Sequence, residues 1–433
     1  MRSRGKKFIA IAVVLVLVFV LMLGACGNDG DGRLPASSGG GASVASGDDI
    51  LIGYVTAFTG PLSGFSAATE WANSVCIGVI NDEFGGIEID GERRKIRVIY
   101  GDSESDPVKA SEIAQKLVLE DGVDILVGAG GLANIGPVSA AGEHHGIPTY
   151  VLNSQADSWI ESGGSYHWSI GTLFYLEDML SDVVGALSRL DTNKKVGFVF
   201  DSEIDGVIIS SMLKPMLEEA EFTIFDPGRF PAELSDYTRL IGQIQAEDCD
   251  IVVANMTNPQ FANAWGQFHE NNYIPKAFNI GRAISSQADA EALGEDMAHG
   301  LISEAFWDRS FPFTSTLLGM SADALASAWE EENGTQFPAT LGYDVSLWEV
   351  LYDALTRART LSPDAVRSAI LATSIDSIYG HLSFDENQVA RVPCVAVQWH
   401  RGETWPYEKA VASSVSRPEI RTGPIFAMPD TTQ

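Results

Sequence analysis

Positive charge is scarce in this chain of 433 residues: 28 Lys and Arg stand against 58 Asp and Glu, a formal net charge of −30. Phosphate backbones are gripped through basic patches, so nucleic acid is excluded as a partner. Cysteine is scarce too, with four residues and no C-x-x-C pair, which excludes a zinc ribbon and a disulfide-dense scaffold. The sequences G-x-S-x-G, H-E-x-x-H and G-x-x-x-x-G-K-[ST] do not occur. No nucleophile–base–orienter set can be named, so an enzyme is disfavoured, and no metal or cofactor is expected. His144-His145 reads as a solvated helix end rather than a metal site. Gly128-Ala129-Gly130-Gly131 follows a strand and opens a helix, but Ala133 stands where a dinucleotide fingerprint needs its last glycine. What remains is a tight strand–helix turn whose helix N-terminus faces a cleft, a suitable place for an anion or a carboxylate. Hydrophobic residues make up 45% and charged residues 20%, a globular composition long enough for two or more domains.

The only long apolar run is at the start. Arg2, Arg4, Lys6 and Lys7 precede an unbroken apolar stretch of 16 residues from Phe8 to Leu23. That is slightly long for a signal core and short for a spanning helix. Leu23-Gly24-Ala25-Cys26 follows and resembles the lipobox of bacterial lipoproteins, where cleavage before the cysteine leaves its thiol joined to diacylglycerol. The alternative is an uncleaved anchor helix ending in a buried cysteine. A Gly-, Ser- and Asp-rich tether runs from Gly27 to Gly47, with a mean reach of roughly 25 Å. Losing the leader removes four basic residues and no acidic ones, so the mature chain is more acidic still. Cys76, Cys249 and Cys394 can form at most one pair, and Cys76 reads as a core residue on an apolar helix face.

The rest alternates strand and helix. Short apolar runs at 50–55, 95–100, 124–127 and 148–152 read as strands, with helices over 65–84 and 107–118 and up to His145. Asp106-Pro107 marks a helix start, Asp as N-cap and Pro in the first turn. A second block of similar size begins near 170, with strands at 195–200, 222–225, 250–254 and 276–280 and helices between them. A third block adds a strand near 300–305, helices over 321–332, 343–359 and 363–372, and strands at 380–384 and 392–399. Such alternation predicts an α/β fold with mostly parallel sheets covered on both faces. From about Ala412 the sequence shows no period and reads as a loose tail.

A lipoprotein leader, a tether and two α/β blocks occur here with further motifs in a specific order. These are Gly60-Pro61-Leu62-Ser63-Gly64-Phe65 after the first strand, and Asp102-Ser103-Glu104-Ser105-Asp106-Pro107 before the second helix. Gly146-Ile147-Pro148, Gly342-Tyr343-Asp344 and Tyr379-Gly380-His381-Leu382-Ser383-Phe384-Asp385 complete the series. Over roughly residues 49–410 the chain resembles the branched-chain amino-acid-binding family of ABC-transporter solute-binding lipoproteins, of type I periplasmic-binding fold. The resemblance implies two discontinuous lobes: 49–168 with 300–378, and 169–299 with 379–412. Residues 1–25 would be the signal peptide, 26–48 the tether and 413–433 the tail. It implies a three-crossing hinge near Trp168, Gly300 and Ser377, and a small-molecule ligand held between the lobes. It also implies an ABC permease with cytoplasmic ATPases as partner, and a place in the bacterial cell envelope, held to the membrane by lipid on Cys26. An amino-acid or amide binder and a ligand-sensing receptor lipoprotein are the alternative functions.

Carried over residue by residue, the resemblance puts ligand contacts at Phe65, Gly131, Leu132, Asn153, Ser154, Gln155, Asp205, Thr257 and Arg282. Several depart from the family pattern. Leu132 stands where a hydroxyl meets the ligand carboxylate, Asn153-Ser154-Gln155 where Ala-Ala-Thr is usual, and Thr257 where an aromatic hydroxyl is usual. Arg282 falls where an acidic residue meets the ligand ammonium, which shifts the expectation to an anionic or aromatic acid-like solute. Phe65, Tyr150, Trp159 and Trp168 are candidate aromatic walls or core residues, and Arg282 is either a ligand contact or a surface partner of Asp289 or Glu291.

Overall fold

The computed structural model describes residues 49–163 and 165–428. The leader, Cys26 and the tether lie outside them. Two sheets organise the described chain. The first has the order Val389–Arg391, Ser169–Phe174, Thr149–Gln155, Ile125–Ala129, Ile50–Thr56, Ile96–Asp102, with every pairing parallel. The second runs Tyr407–Ser413, Val395–Arg401, Ile302–Ala305, Ala277–Gly281, Ile251–Asn255, Lys195–Phe200, Thr223–Phe225. Its first two pairings are antiparallel and the rest parallel. Ile125–Ala129, Ile251–Asn255 and Ala277–Gly281 are buried at every position. Helices cover both faces, so these strands carry continuous apolar runs rather than alternation.

The local rules behave as the sequence predicts at several ends. Asp106 caps Pro107–Leu119 by accepting from the amides of Val108 and Lys109. Leu132–His145 ends on Gly146 at φ +70°, the left-handed conformation a C-terminal glycine adopts without steric cost. The expected helix over 65–84 is divided: a short 3-10 turn at Ser63–Ser66, a helix at Thr69–Gly78 and a wider π turn at Val79–Glu83.

Two assignments change, the crossings between the sheets and the C-terminal segment. The crossings expected near Trp168, Gly300 and Ser377 each fall early. Ser169–Phe174 still belongs to the first sheet, Ile302–Ala305 to the second, and Val389–Arg391 to the first. The chain therefore changes sheets after Phe174, after Ala305 and between Arg391 and Val395. The segment expected as a loose tail is packed through 428, with Ile420, Phe426 and Met428 buried. Asp182 anchors it by accepting from the Ser413 and Ser416 hydroxyls and the Val415 amide. Cys76, Cys249 and Cys394 are all buried and unpaired.

Candidate ligand-binding cleft

In each sheet the chain reverses its direction of strand addition once, and ligands of open parallel sheets bind outside the strand ends at that point. In the first sheet the reversal lies between Ile50–Thr56 and Ile125–Ala129, in the second between Lys195–Phe200 and Ile251–Asn255. The loops leaving these strands carry Phe65, Gly131 and Leu132 on one side and Asp205 and Thr257 on the other. The two sets of loops meet. A side chain added at Gly64 would begin 3.7 Å from Ser285 Oγ, so the carboxyl edges of the two sheets face each other.

On the first sheet, Thr56 Oγ1 lies 2.7 Å from Ser66 Oγ, and Ser66 donates to the Ala57 carbonyl. These bonds fix the 3-10 turn that carries Phe65. Gly130 and Gly131 have φ of +82° and +87°, values open to glycine and costly for other residues. The Gly131 amide donates to the Asn153 carbonyl at 3.0 Å, and Asn153 Nδ2 donates to the Phe65 carbonyl at 3.1 Å. Phe65, Gly131 and Asn153 are thus joined directly. Asn153 and Ser154 are buried, at the end of a strand rather than in a loop, and Asn153 Oδ1 has no partner among the described residues. Gln155 Oε1 accepts from the Ser158 hydroxyl. Leu132, 37% exposed, opens the next helix.

On the second sheet, Arg282 Nη1 donates to Asp205 Oδ2 at 3.0 Å, both side chains about two-fifths exposed. Asp289 is not its partner; that carboxylate accepts from Ser285 and Ser286 instead. Thr257 caps the helix Asn258–Glu270, its hydroxyl and amide both donating to Gln260 Oε1. Tyr150 and Trp159 are fully buried core residues, Tyr150 bonded to Thr172 and Trp159 to Ser139, and so are not cleft walls. Trp168 packs on Gly146, at the opposite end of the first sheet from the cleft.

The sequence reading missed a group beside Arg282. Glu304 is the penultimate residue of the strand Ile302–Ala305, next to Ala277–Gly281. A side chain at Gly281 would begin 2.8 Å from Asn255 Oδ1 and 3.2 Å from Glu304 Oε1. Burial pushes the Glu304 carboxyl up to about 7, opposed by hydrogen bonds from its own amide and that of Arg282. Phe306 lies two residues on. Its ring sits 4.8 Å from Phe174 and 6.1 Å from Tyr343. The available signal was an acidic residue in the apolar run Leu301-Ile302-Ser303-Glu304-Ala305-Phe306-Trp307. Two cavities of about 430 and 470 Å³ open elsewhere, around Tyr166 and Arg367 and around Ile77 and Tyr100. None of the expected contact residues lines them, and their walls carry no convergent set of groups from both sheets. The facing sheet edges, which carry most of the expected contact residues, are the candidate site.

Comparison with known proteins agrees with this architecture. The model of a family described as periplasmic binding protein matches residues 49–403. A leucine-, isoleucine-, valine-, threonine- and alanine-binding protein from Pseudomonas aeruginosa is 22% identical over 365 residues, covering 82% of this chain and 91% of its own. A branched-chain amino acid transporter substrate-binding protein from Streptococcus pneumoniae, solved with isoleucine, aligns with TM-score 0.69 at 16% identity. That alignment covers 84% of this chain and 99% of its own. A solute-binding protein of an ABC transporter from Rhodopseudomonas palustris, solved with 4-hydroxybenzoate, gives 0.65 at 16% identity, covering 83% and 95%.

Proposed function

The chain belongs to the periplasmic binding protein family, the solute-binding components of ABC transporters, and on that premise we propose that it captures a small organic solute between its two sheets for an ABC permease. The observation that carries this is the meeting of Gly64 and Ser285 over two strand-reversal points. Phe65, Gly131 and Asn153 line one side and Asp205 and Arg282 the other. Phe65 and Leu132 offer apolar contact, and Arg282 can bind a carboxylate in bidentate fashion. A solute with an apolar or aromatic body and an acidic group fits these residues. Asp205 competes for Arg282, so the acidic group must displace or share that partner. The Cys26 motif supports attachment to the outer face of the membrane through lipid, and mass spectrometry of the mature N-terminus tests it. Among the described residues no helix is long and apolar enough to cross a membrane.

A thermal-shift screen with aromatic acids, amino acids, amides and sugars tests solute capture, because a ligand bound only by the folded state raises the melting temperature by mass action. A shift from at least one of these classes is expected. Hydrolysis of a probe without any shift would instead favour an enzyme.

A further inference from the structure

The match to the family model ends at residue 403, and the chain continues through the strand Tyr407–Ser413 and a packed segment to 428. This extension is built into the second sheet. Its strand pairs along Val395–Arg401. The Phe426 amide donates to Gln398 Oε1 at 2.9 Å, Gln398 Nε2 donates to the Phe426 carbonyl at 2.8 Å, and the Met428 amide donates to the Lys276 carbonyl at 2.7 Å. Its other contacts are with elements that ride on the first sheet. The helix Ala322–Asn333 is one of these. Trp329 packs 5.3 Å from the Trp71 ring and Glu332 accepts from Trp71 Nε1 at 2.8 Å, and Trp71 lies on the helix Thr69–Gly78 that follows the first strand. Trp405 Nε1 donates to Glu330 Oε1 on that same helix at 3.1 Å. In the loop after it, Gln336 Nε2 donates to the Tyr407 carbonyl at 3.1 Å. Lys409 Nζ, buried and without a hydrogen-bond partner among the described residues, lies 4.7 Å over the Phe337 ring and 5.5 Å over the Trp399 ring, one from each side. Farther along, Arg417 Nη2 donates at 2.7 Å to the carbonyl of Arg391, the last residue of the first sheet's edge strand.

We propose that residues 404–417 form a clasp across the passages between the sheets, which restrains the two sheets from swinging apart through Trp405–Glu330, Gln336–Tyr407, Lys409–Phe337 and Arg417–Arg391. The inference goes beyond solute capture and does not depend on what the solute is. Hydrogen bonds fade within a few tenths of an ångström of their ordinary length. Two bodies turning about the passages therefore cannot keep all of these contacts, and each one favours the arrangement in which it is made. That is the arrangement in which the Gly64 and Ser285 edges meet. The aromatic sandwich around Lys409 adds a cation–π attraction that is strengthened where water is excluded. A clasp of this kind narrows the range of open states and raises the share of chains ready to close. It thereby reduces the affinity lost to a sparsely populated binding-competent state.

Small-angle scattering of the unliganded protein reads the swing directly. The variant Gln336→Leu/Trp405→Phe/Arg417→Met removes three bridging hydrogen bonds and keeps most of the side-chain bulk. Measured well below its own melting midpoint and with an unchanged far-ultraviolet circular dichroism spectrum, it should have a larger radius of gyration than the wild type. Arg421→Ala is the control, because Arg421 is exposed on the same extension and makes no contact with the first sheet among the described residues. Its radius should equal that of the wild type. If the triple variant fails to fold, the same comparison on Arg417→Met decides, since that side chain is 22% exposed and outside the core. A radius equal to or smaller than the wild type's in the folded clasp variant would overturn the proposal, and so would an equal rise in Arg421→Ala.

Discussion

At the scale of single residues the cleft turns on charge. Arg282 and Asp205 form a half-exposed pair, and such pairs contribute only about 0–1 kcal/mol to stability. Neither is therefore needed for the fold, and both are available to a ligand. Asp205→Asn should free the guanidinium and tighten binding of an acid-bearing ligand severalfold. Arg282→Ala should weaken the same ligand roughly fivefold, about 1 kcal/mol. Calorimetry on the two variants checks this, and weaker acid binding in Asp205→Asn would show that Asp205 itself holds the ligand.

Five carboxyls among the described residues are held above their ordinary range chiefly by burial: Asp124, then Asp182 and Asp344 at about 6, and Glu304 and Glu349 at about 7. The folded chain keeps protons there that the unfolded chain releases above about pH 4. Their contribution to stability is thus full below the unfolded value and is lost as pH rises through 6 to 7. The protein should melt several degrees higher at pH 5 than at pH 7.5. A melting temperature equal or higher at pH 7.5 than at pH 5 would mean these carboxyls are ionised in the fold without penalty.

Among the elements, the helix Leu132–His145 positions the Gly130–Leu132 turn by lying close on the strand Thr149–Gln155. A side chain at Gly142 would begin 1.9 Å from Thr149 Oγ1 and 2.9 Å from its Cβ. Gly142→Ala should cost about 1–3 kcal/mol through overpacking, seen as a lower denaturation midpoint. An unchanged midpoint would show that helix and strand can separate freely. Elements with strong local signals were legible in the sequence. Pro107–Leu119 carries an Asp cap and a first-turn Pro, and Ile251–Asn255 is an unbroken apolar run. Ser169–Phe174 was not legible, because Ser, Gly and Thr interrupt its apolar residues, yet all six positions are buried. Val389–Arg391 is three residues long and exists as a strand only through its pairing with Gly171–Leu173. Such segments are fixed by tertiary partners, which local pattern does not encode.

At the scale of the whole molecule the same difficulty explains the site. The loops bearing Phe65, Gly131 and Arg282 were legible because each follows a strand with a clear pattern. Glu304 was not, because its neighbour Gly281 is set by sheet order, and a crossing expected near Gly300 assigns its strand to the other lobe. Three chain passages join the sheets, and an apolar cluster runs through both, from Ile52 and Tyr150 to Phe198 and Val397. Arg391 secures one passage: it pairs with Asp178, on the helix Leu176–Ser188 that leads into the second sheet, and lies 4.8 Å over the Tyr175 ring. We infer that the sheets swing about these passages, and that a solute touching both favours the closed arrangement through that differential contact alone. Small-angle scattering with and without a saturating hit from the thermal screen tests this most directly. Capture between the sheets predicts a smaller radius of gyration with ligand bound, and an unchanged radius at saturation would contradict it.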